Sequence, residues 1–250
     1  MSNFPNVIRG IEGEQFNTTS DQRYALGTLM VMDDGREFRY AKTGAVALVA
    51  GKLCQASAPI AGHQGLALPA AVSVGARTLV VTNGATAITT DQYKDGYLNI
   101  EDDSGEGRLY KIKSNTADAG NGPVTITLAE GASIKKALTT LTTVGLLKNR
   151  LDAVIAAPTA LTGALAGVAV SDAAIGAYCW LQTKGYASVL TEGTLVIGQS
   201  AVPSVTTSGC VTALALTEGA PNTGAGQHVV GEVVKVSVTT ENSVIDLNLR

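Results

Sequence analysis

The sequence predicts a mainly β protein, built from antiparallel sandwich-like or barrel-like regions with an extended N-terminal arm and little helix. Three observations lead to this prediction. The chain has 250 residues and 28 of them are glycine, a composition that favours turns over helices. Short aliphatic and β-branched runs alternate with polar residues at a period of two. Between these runs stand the Gly, Asn and Asp residues that close hairpins and loops.

The N-terminal segment is polar and glycine-interrupted, with isolated apolar side chains at Phe4, Val7, Ile8 and Phe16. We expect residues 1–25 to form an arm that becomes ordered only against a neighbouring molecule. The rest divides into a first β region, 26–150, and a second, 151–250, with one intertwined unit as the alternative.

Two turn signals predict hairpins. Asp34–Gly35 follows an apolar run and precedes another within 29–40, which indicates a hairpin with a longer loop. Asn83–Gly84 stands between two β-prone runs within 79–88, and both residue types tolerate positive φ. The second signal therefore predicts a two-residue type I′ hairpin.

Alternating apolar positions predict further strands. Three successive segments form a predicted meander, with Leu98 and Ile100, then Tyr110 and Ile112, then Val124, Ile126 and Leu128 on one face. A closing hairpin is predicted at the C-terminus, with Val234, Val236 and Val238 facing one way and Ile245, Leu247 and Leu249 on the return strand. Segment 133–147 has helical spacing, but its β-branched threonines limit the expected helix to one turn.

Composition excludes several classes of partner. The 18 basic and 21 acidic residues give a net charge of −3 without any block of like charge, so we expect no nucleic acid binding. Segment 153–170 carries no charge, but Ala, Gly, Thr and a proline make it a poor membrane span. Charged residues are only 16% of the chain, so we expect a neutral surface that is partly buried in self-association.

No catalytic, cofactor or metal site is predicted. The cysteines, Cys54, Cys179 and Cys210, are too far apart for a zinc or redox motif and are expected to be buried thiols. His63 and His228 lie in glycine-rich segments without a nucleophile motif, and we expect them at the surface. The acidic segment 101–107 lacks the distal ligand of a calcium loop and is predicted to be a solvated turn. A glycosidase-type pair, Asp102 and Glu106, is the remaining enzymatic alternative.

Tyr178 and Trp180 alternate across Cys179 and therefore share one face of a predicted strand. The chain has only 3 Phe, 7 Tyr and 1 Trp. With so few aromatic residues available for a core, we expect this face to be core or subunit interface rather than a platform for a glycan.

Several segments together resemble a family of tailed-bacteriophage virion proteins, the capsid decoration or cement proteins. They are Asp33–Lys42, Ala50–Lys52, Thr82–Thr86 leading into Asp91–Leu98, Gly105–Lys113, Tyr178–Gln182, Gly185, Thr191–Thr194 and Ile197–Gly198. The resemblance implies a non-enzymatic, β-rich protein that assembles in the host cytoplasm and sits on the capsid surface. It implies a homotrimer bound to the major capsid protein.

The residues that we expect at the capsid or subunit interface are Phe4, Val7, Ile8, Phe16, Arg36, Phe38, Tyr40, Tyr178 and Trp180. The alternative function is a virion receptor-binding or glycan-binding protein, in which Tyr178 and Trp180 or the threonine-rich loops face a host surface. A substitution of Trp180 separates the two, because a core residue affects folding or assembly and a recognition residue affects adsorption.

Overall fold

The computed structural model describes residues 7–214 and 228–249. They fall into two compact units. The first, here called the sheet unit, comprises the residues up to Ser57 and those from Arg150 onward. The second, the barrel unit, is Ala58–Asn149. The only helical segments in the described residues are two 3₁₀ turns, Glu14–Phe16 and Ala61–His63. The prediction of a mainly β fold with little helix is confirmed.

The strands of the described residues are numbered along the chain. They are β1 (Val7–Arg9), β2 (Leu29–Val31), β3 (Glu37–Lys42), β4 (Leu53–Gln55), β5 (Leu66–Ala67), β6 (Thr78–Thr82), β7 (Tyr97–Asp102), β8 (Leu109–Asn115), β9 (Pro123–Leu128), β10 (Thr143–Leu147), β11 (Ile155–Ala156), β12 (Leu165–Ala169), β13 (Tyr178–Leu190), β14 (Ser200–Pro203), β15 (Val211–Ala213), β16 (Gly231–Lys235) and β17 (Asn242–Asn248).

The sheet unit is organised around the long strand β13. Its strands follow the order β1-β2-β3-β13-β17-β16-β14-β15, and β12, β4 and β11 branch from β13. The first half of β13 pairs with β3 and the second half with β17, both antiparallel. Cys179 to Thr183 are buried as a continuous run, because neighbours cover both faces of this half of the strand.

The barrel unit closes on itself. Its strands follow the ring β10-β5-β6-β9-β8-β7, and every neighbouring pair is antiparallel. The predicted meander corresponds to β7, β8 and β9, and its alternating apolar residues point into the barrel. The rest of the interior comes mainly from Leu66, Leu79, Val81, Ile88, Tyr93, Ile134, Leu138, Val144 and Leu146. The barrel-like region is thus confirmed, together with its inward face.

The two predicted hairpins have different outcomes. β2 and β3 pair antiparallel around Asp34–Gly35, with Gly35 at φ 85°, which confirms the first. The Asn83–Gly84 hairpin is wrong: β6 ends at Thr82 and pairs with β5 and β9. Asn83 is instead buried, and its side-chain amide donates to Thr86 O and Asp118 Oδ2. The polar network around Asp118 thus sets the course of the chain here.

The other element predictions hold with adjustments. β16 and β17 form the expected C-terminal hairpin, but a register shift between Val233 and Lys235 turns Val233, rather than Val234, into the core. Segment 133–147 contains no helical turn and ends in β10. Its apolar spacing reflects two inward-facing loop residues, Ile134 and Leu138, which complete the barrel core.

The division of the chain differs from the predicted regions 26–150 and 151–250. Contacts group β2, β3 and β4 with the residues after Arg150 rather than with the barrel. The physical reason is pairing over long sequence distance. β3 lies along β13, and β4 pairs with β11 and β12. The break near residue 150 is real, but a second one lies at Ser57.

The N-terminal arm lies on its own chain, which corrects the expectation that it becomes ordered only against a neighbour. β1 pairs with β2 in parallel, and Thr19 and Tyr178 form a bridge with reciprocal hydrogen bonds of 3.0 and 2.8 Å. Gly10 permits this approach, since a Cβ there would come within 2.7 Å of Met30 and Met32. The described part of the arm, residues 7–25, is therefore held against the sheet unit by backbone hydrogen bonds.

One turn recurs in both units. The carbonyl of its first residue accepts from the N–H of its fourth, at 3.1–3.3 Å, in turns 49–52, 73–76, 89–92, 139–142 and 174–177. Four of the five have positive φ at the third residue, namely Gly51, Gly75, Asp91 and Gly176. This backbone requires Gly or a residue such as Asp, which links the glycine content to the fold.

Four of these turns are joined in two pairs by short antiparallel bridges. Leu48 and Ala173 exchange hydrogen bonds of 2.9 and 3.0 Å in the sheet unit, as Val72 and Leu138 do in the barrel unit. In each pair the turn glycine also donates to a residue four positions before the partner, at 2.7 and 2.8 Å. The two units thus use the same local connection.

Candidate functional site

Five of the nine predicted interface residues, Ile8, Phe38, Tyr40, Tyr178 and Trp180, belong to one cluster in the sheet unit. Met30, Met32, Phe38, Tyr40 and Trp180 form its buried part. Ile8, Leu26, Val170 and Tyr178 are partly buried against it. β2, β3 and β13 position these side chains, because their register places Tyr40 beside Trp180 and Phe38 beside Met30. We call this group the aromatic cluster.

Tyr40 is at the centre of the aromatic cluster. Its ring stacks on Tyr178 at 5.6 Å and an interplanar angle of 9°, and meets Trp180 edge-on at 5.0 Å. Tyr24 packs edge-on against Tyr40 at 5.3 Å. Each such ring pair contributes about 0.5–1.5 kcal/mol beyond its buried area. The cluster is thus a rigid structural element.

The arm is fastened over this cluster by polar contacts. The Tyr40 hydroxyl accepts from Arg23 N at 3.1 Å, and Gly27 N donates to Tyr40 O at 2.9 Å. Arg36 forms ion pairs with Asp34 in the hairpin and with Glu12 in the arm. The backbone N–H of Arg36, with its guanidinium, holds the pKa of Asp34 below its ordinary value. Burial, with the nearby Asp152 carboxylate, raises the pKa of Tyr178.

A cavity of about 290 Å³ lies between the arm and the cluster. Its apolar lining includes Ile8, Met30, Tyr40 and Trp180, and its polar lining includes Glu14, Asn17 and Arg23. This size is at the lower limit of small-molecule pockets and suits one apolar side chain or a small apolar group. Neither a histidine nor a cysteine is among the lining residues.

The structure separates the predicted contact residues into two groups. Phe38, Tyr40 and Trp180 are at most 4% exposed, so they are core residues and cannot contact a partner directly. For Phe38 and Tyr40 this is a correction, and its physical reason is that β13 pairs with β3 while the arm covers both. For Trp180, which was expected in the core or at a subunit interface, the structure selects the core. Trp180 is likewise too buried to serve as a glycan platform. Ile8 and Tyr178 are partly buried in the same cluster.

The remaining predicted residues lie at the surface or outside the described residues. Val7 and Phe16 are each 54% exposed. Arg36 keeps about a fifth of its side chain exposed, between its two acidic partners. Phe4 lies outside the described residues. Sequence reasoning missed Ile11, which is 72% exposed, and Tyr24, whose ring packs against Tyr40 and Trp180 of the cluster. Ile11 shares the alternation of Val7 along the arm, and that signal was available.

Comparisons of the chain with protein-family models, curated proteins and solved structures found no match. Function is therefore inferred from the residues and their geometry. In residues 7–214 and 228–249, no group of three or more His, Cys, Asp or Glu side chains could hold a metal ion. No helix in the same residues is long and apolar enough to cross a membrane.

The other chemistry-bearing residues have structural surroundings. Cys54, Cys179 and Cys210 are free and buried, as predicted. His63 corrects the expectation of a surface position, because it is fully buried: its Nε2 lies 3.1 Å from Thr86 O and its Nδ1 bonds the Tyr93 hydroxyl. His228 is exposed. Residues 103–107 form a turn in which Asp103, Glu106 and Gly107 are exposed and Gly105 is buried, and Asp103 accepts from Thr139 and Thr142.

Proposed function

We propose that the protein decorates the capsid of a tailed bacteriophage, binding the major capsid lattice as a homotrimer and stabilising the head through many weak contacts. The observation that carries the proposal is the apolar surface of the arm. Val7, Ile11 and Phe16 are 54%, 72% and 54% exposed on a segment that is already fixed to the sheet unit. We call these three side chains the arm surface.

An arm that is already held against the sheet unit is suited to binding a partner. Ile8 and Gly10 face the sheet unit, so the alternate residues Val7 and Ile11 face outward. Because β1 is held by β2 and by the Arg36–Glu12 ion pair, little ordering entropy remains to be lost when a partner binds. Burying an exposed apolar side chain is favourable by roughly 1.5–3 kcal/mol at most. Repetition over a capsid lattice converts such small energies into stable attachment.

The composition supports the same proposal. Charged residues make up 16% of the chain, against about 25% in an average domain. A neutral surface can be covered by a flat partner without leaving an unpaired buried charge, which is costly. The capsid surface as location and assembly in a cytoplasm follow from this role and belong to the proposal.

Co-sedimentation with purified empty phage shells tests the proposal. We expect saturable binding at a fixed ratio to capsomers, by a protein whose mass in light scattering is three times that of the chain. The triple substitution Val7→Ser, Ile11→Ser and Phe16→Ser should weaken shell binding by at least about tenfold, as expected for about 1.4 kcal/mol or more.

A matched control replaces three other exposed apolar residues of the sheet unit, Val196, Ile197 and Val205, with serine. These are 60%, 65% and 72% exposed, so the change in surface hydrophobicity is similar. The control should bind shells like the parent protein. A parent protein that stays in the supernatant, or an arm variant that binds as tightly as the control, contradicts the proposal.

A further inference from the structure

We propose that the exposed face of the sheet unit carries a saccharide-binding site, a role beyond attachment to a shell. Its centre is a row of four side chains on four neighbouring strands: Tyr186 on β13, Asp246 on β17, Glu232 on β16 and Ser200 on β14. They are register partners, Tyr186 with Asp246, Asp246 with Glu232, and Glu232 with Ser200. We call this the polar row.

The polar row lies in an open groove. The groove has a volume of about 930 Å³, near the upper limit for ligand sites. Lys184 and Asn248, two positions along their strands, lie on the same face and also line it. Four strands at about 4.8 Å spacing make the row about 14 Å long, enough for a short chain of pyranose rings.

The side chains of the row are available to a ligand. Among residues 7–214 and 228–249, none of the side chains of Tyr186, Ser200, Glu232, Asp246 and Asn248 has a hydrogen-bonding or ion-pair partner. The neighbouring cations differ, because Lys184 pairs with Glu37 at 3.2 Å and Arg36 with Glu12 and Asp34. Within the described part of the chain, the groove thus presents acceptors without a protein partner beside cations that already form ion pairs.

The placement of the two acids indicates hydrogen-bond donors in the ligand. Asp246 and Glu232 are directly opposite in an antiparallel pair, and like charges in this position are destabilising. A phosphate or a nucleic acid would increase the repulsion. Neighbouring hydroxyl groups would instead donate to both carboxylates, and hydrogen bonds to charged acceptors are the stronger kind.

The aromatic end of the row indicates the apolar face of a sugar. Tyr186 is 61% exposed, which is unusual for a tyrosine on a central strand and leaves a flat ring open to the groove. An aromatic ring with nearby carboxylate, amide and hydroxyl groups matches a ring that has C–H groups on its faces and hydroxyls on its edge. A neutral saccharide with many hydroxyl groups therefore matches both the aromatic ring and the carboxylates of the row.

The first experiment is a broad glycan array probed with the purified full-length protein, followed by titration of the strongest saccharide in calorimetry. We expect binding that Tyr186→Ala weakens by at least about tenfold. Tyr97→Ala is the matched control, because Tyr97 is an exposed tyrosine of the barrel unit, at 36%. It should bind like the parent protein.

The second test addresses the acids. The pair Glu232→Gln and Asp246→Asn should weaken binding by at least about fivefold, whereas Asp102→Asn and Glu106→Gln, which change the net charge equally, should not. Absence of any bound glycan on the array, or binding unchanged by Tyr186→Ala, overturns the inference. Binding that EDTA abolishes and Ca²⁺ restores also overturns it, since the acids would then hold a cation.

This inference and the proposed function fail separately. Tyr186→Ala leaves Val7, Ile11 and Phe16 untouched, so it should co-sediment with shells like the parent protein. The arm variant leaves the polar row intact and should keep its glycan binding. A result that removes one activity therefore leaves the other measurable.

Discussion

The barrel unit and the sheet unit differ in how the backbone groups of their edge strands are paired. The barrel unit is one continuous segment whose strands form a closed ring around one apolar cluster. The sheet unit combines two chain segments in an open, branched sheet whose end strands are β1, β15 and β11. Closure removes unpaired edge groups, whereas an open sheet must cover or use them. The arm and the polar row, the two surfaces for which we propose partners, both belong to the open unit.

The comparison indicates where binding surfaces arise in this protein. The barrel directs alternate residues of its strands into one apolar core and the residues between them outward. The sheet unit has three separate buried clusters, and the arm covers only part of one of them. Its uncovered faces therefore keep groups that are able to take a partner.

The largest expected effects come from removing core side chains. Phe38 and Ile126 are both fully buried, one in each unit. Phe38→Ala should lower the free energy of unfolding by about 3–5 kcal/mol and Ile126→Ala by about 2–5 kcal/mol. Hydrogen exchange should rise in the sheet unit for the first variant and in the barrel unit for the second. Equal increases in both units for either variant would show that the two unfold as one and would break the comparison.

A smaller effect is expected at alkaline pH. All three cysteines belong to the sheet unit, and burial raises the pKa of Cys54 and of Cys179 from 9.0 to about 12. In the barrel unit, burial raises the pKa of Tyr93 from 10.0 to about 12. The folded state retains these protons and the unfolded state loses them, so stability falls as pH rises. The sheet unit should weaken from about pH 9 and the barrel from about pH 10.

Trp180 makes this difference measurable, since it is the one tryptophan of the chain and belongs to the sheet unit. Denaturation followed by its fluorescence should show a midpoint that decreases between pH 8 and pH 10. The double variant Cys54→Ala and Cys179→Ala, compared with itself across the same range, should lose most of this decrease. A parent protein with a constant midpoint would contradict the assignment.

The smallest expected effect is at acid pH and concerns the barrel. Asp118 Oδ2 accepts from the Asn83 side chain and from the backbone N–H of Gly120 and Gly122, which hold the pKa of Asp118 below its ordinary value of 3.8. This contribution is present above about pH 4 and is lost as pH falls through the lowered pKa. Asp118→Asn should therefore reduce the loss of melting temperature between pH 6 and pH 3. Glu130→Gln, another barrel acid, is the control and should behave like the parent protein.

Sequence patterns predicted what depends on neighbouring residues. The β7-β8-β9 meander and the β2–β3 hairpin follow from alternation and from turn residues a few positions apart. The Asn83–Gly84 hairpin was wrong because turn preference is a weak local signal, and the hydrogen bonds of Asn83 to Asp118 replace it. Local patterns could not predict that two chain segments form the sheet unit, because β3 and β13 pair although they are far apart in the chain.

The candidate site was predictable only in part. The shared face of Tyr178 and Trp180 was visible in the sequence, but not that Tyr40 and the arm would cover it. The polar row escaped notice because its members come from four strands, and only register brings Tyr186, Asp246 and Glu232 together. Residues that are brought side by side across several strands have no characteristic spacing in the sequence.

The two ends of the barrel segment lie close together, and so do the two points of the sheet unit between which that segment is inserted. Gln64 donates to Leu146 O at 3.0 Å just inside the barrel, and Gln55 is the register partner of Ile155 where the sheet unit is interrupted. An insertion with adjacent ends costs little loop-closure entropy. Joining the chain directly from about residue 57 to about residue 150 therefore leaves every strand pairing of the sheet unit intact. The barrel is thus an exchangeable module, and another domain with adjacent termini can take its place between the two segments of the sheet unit.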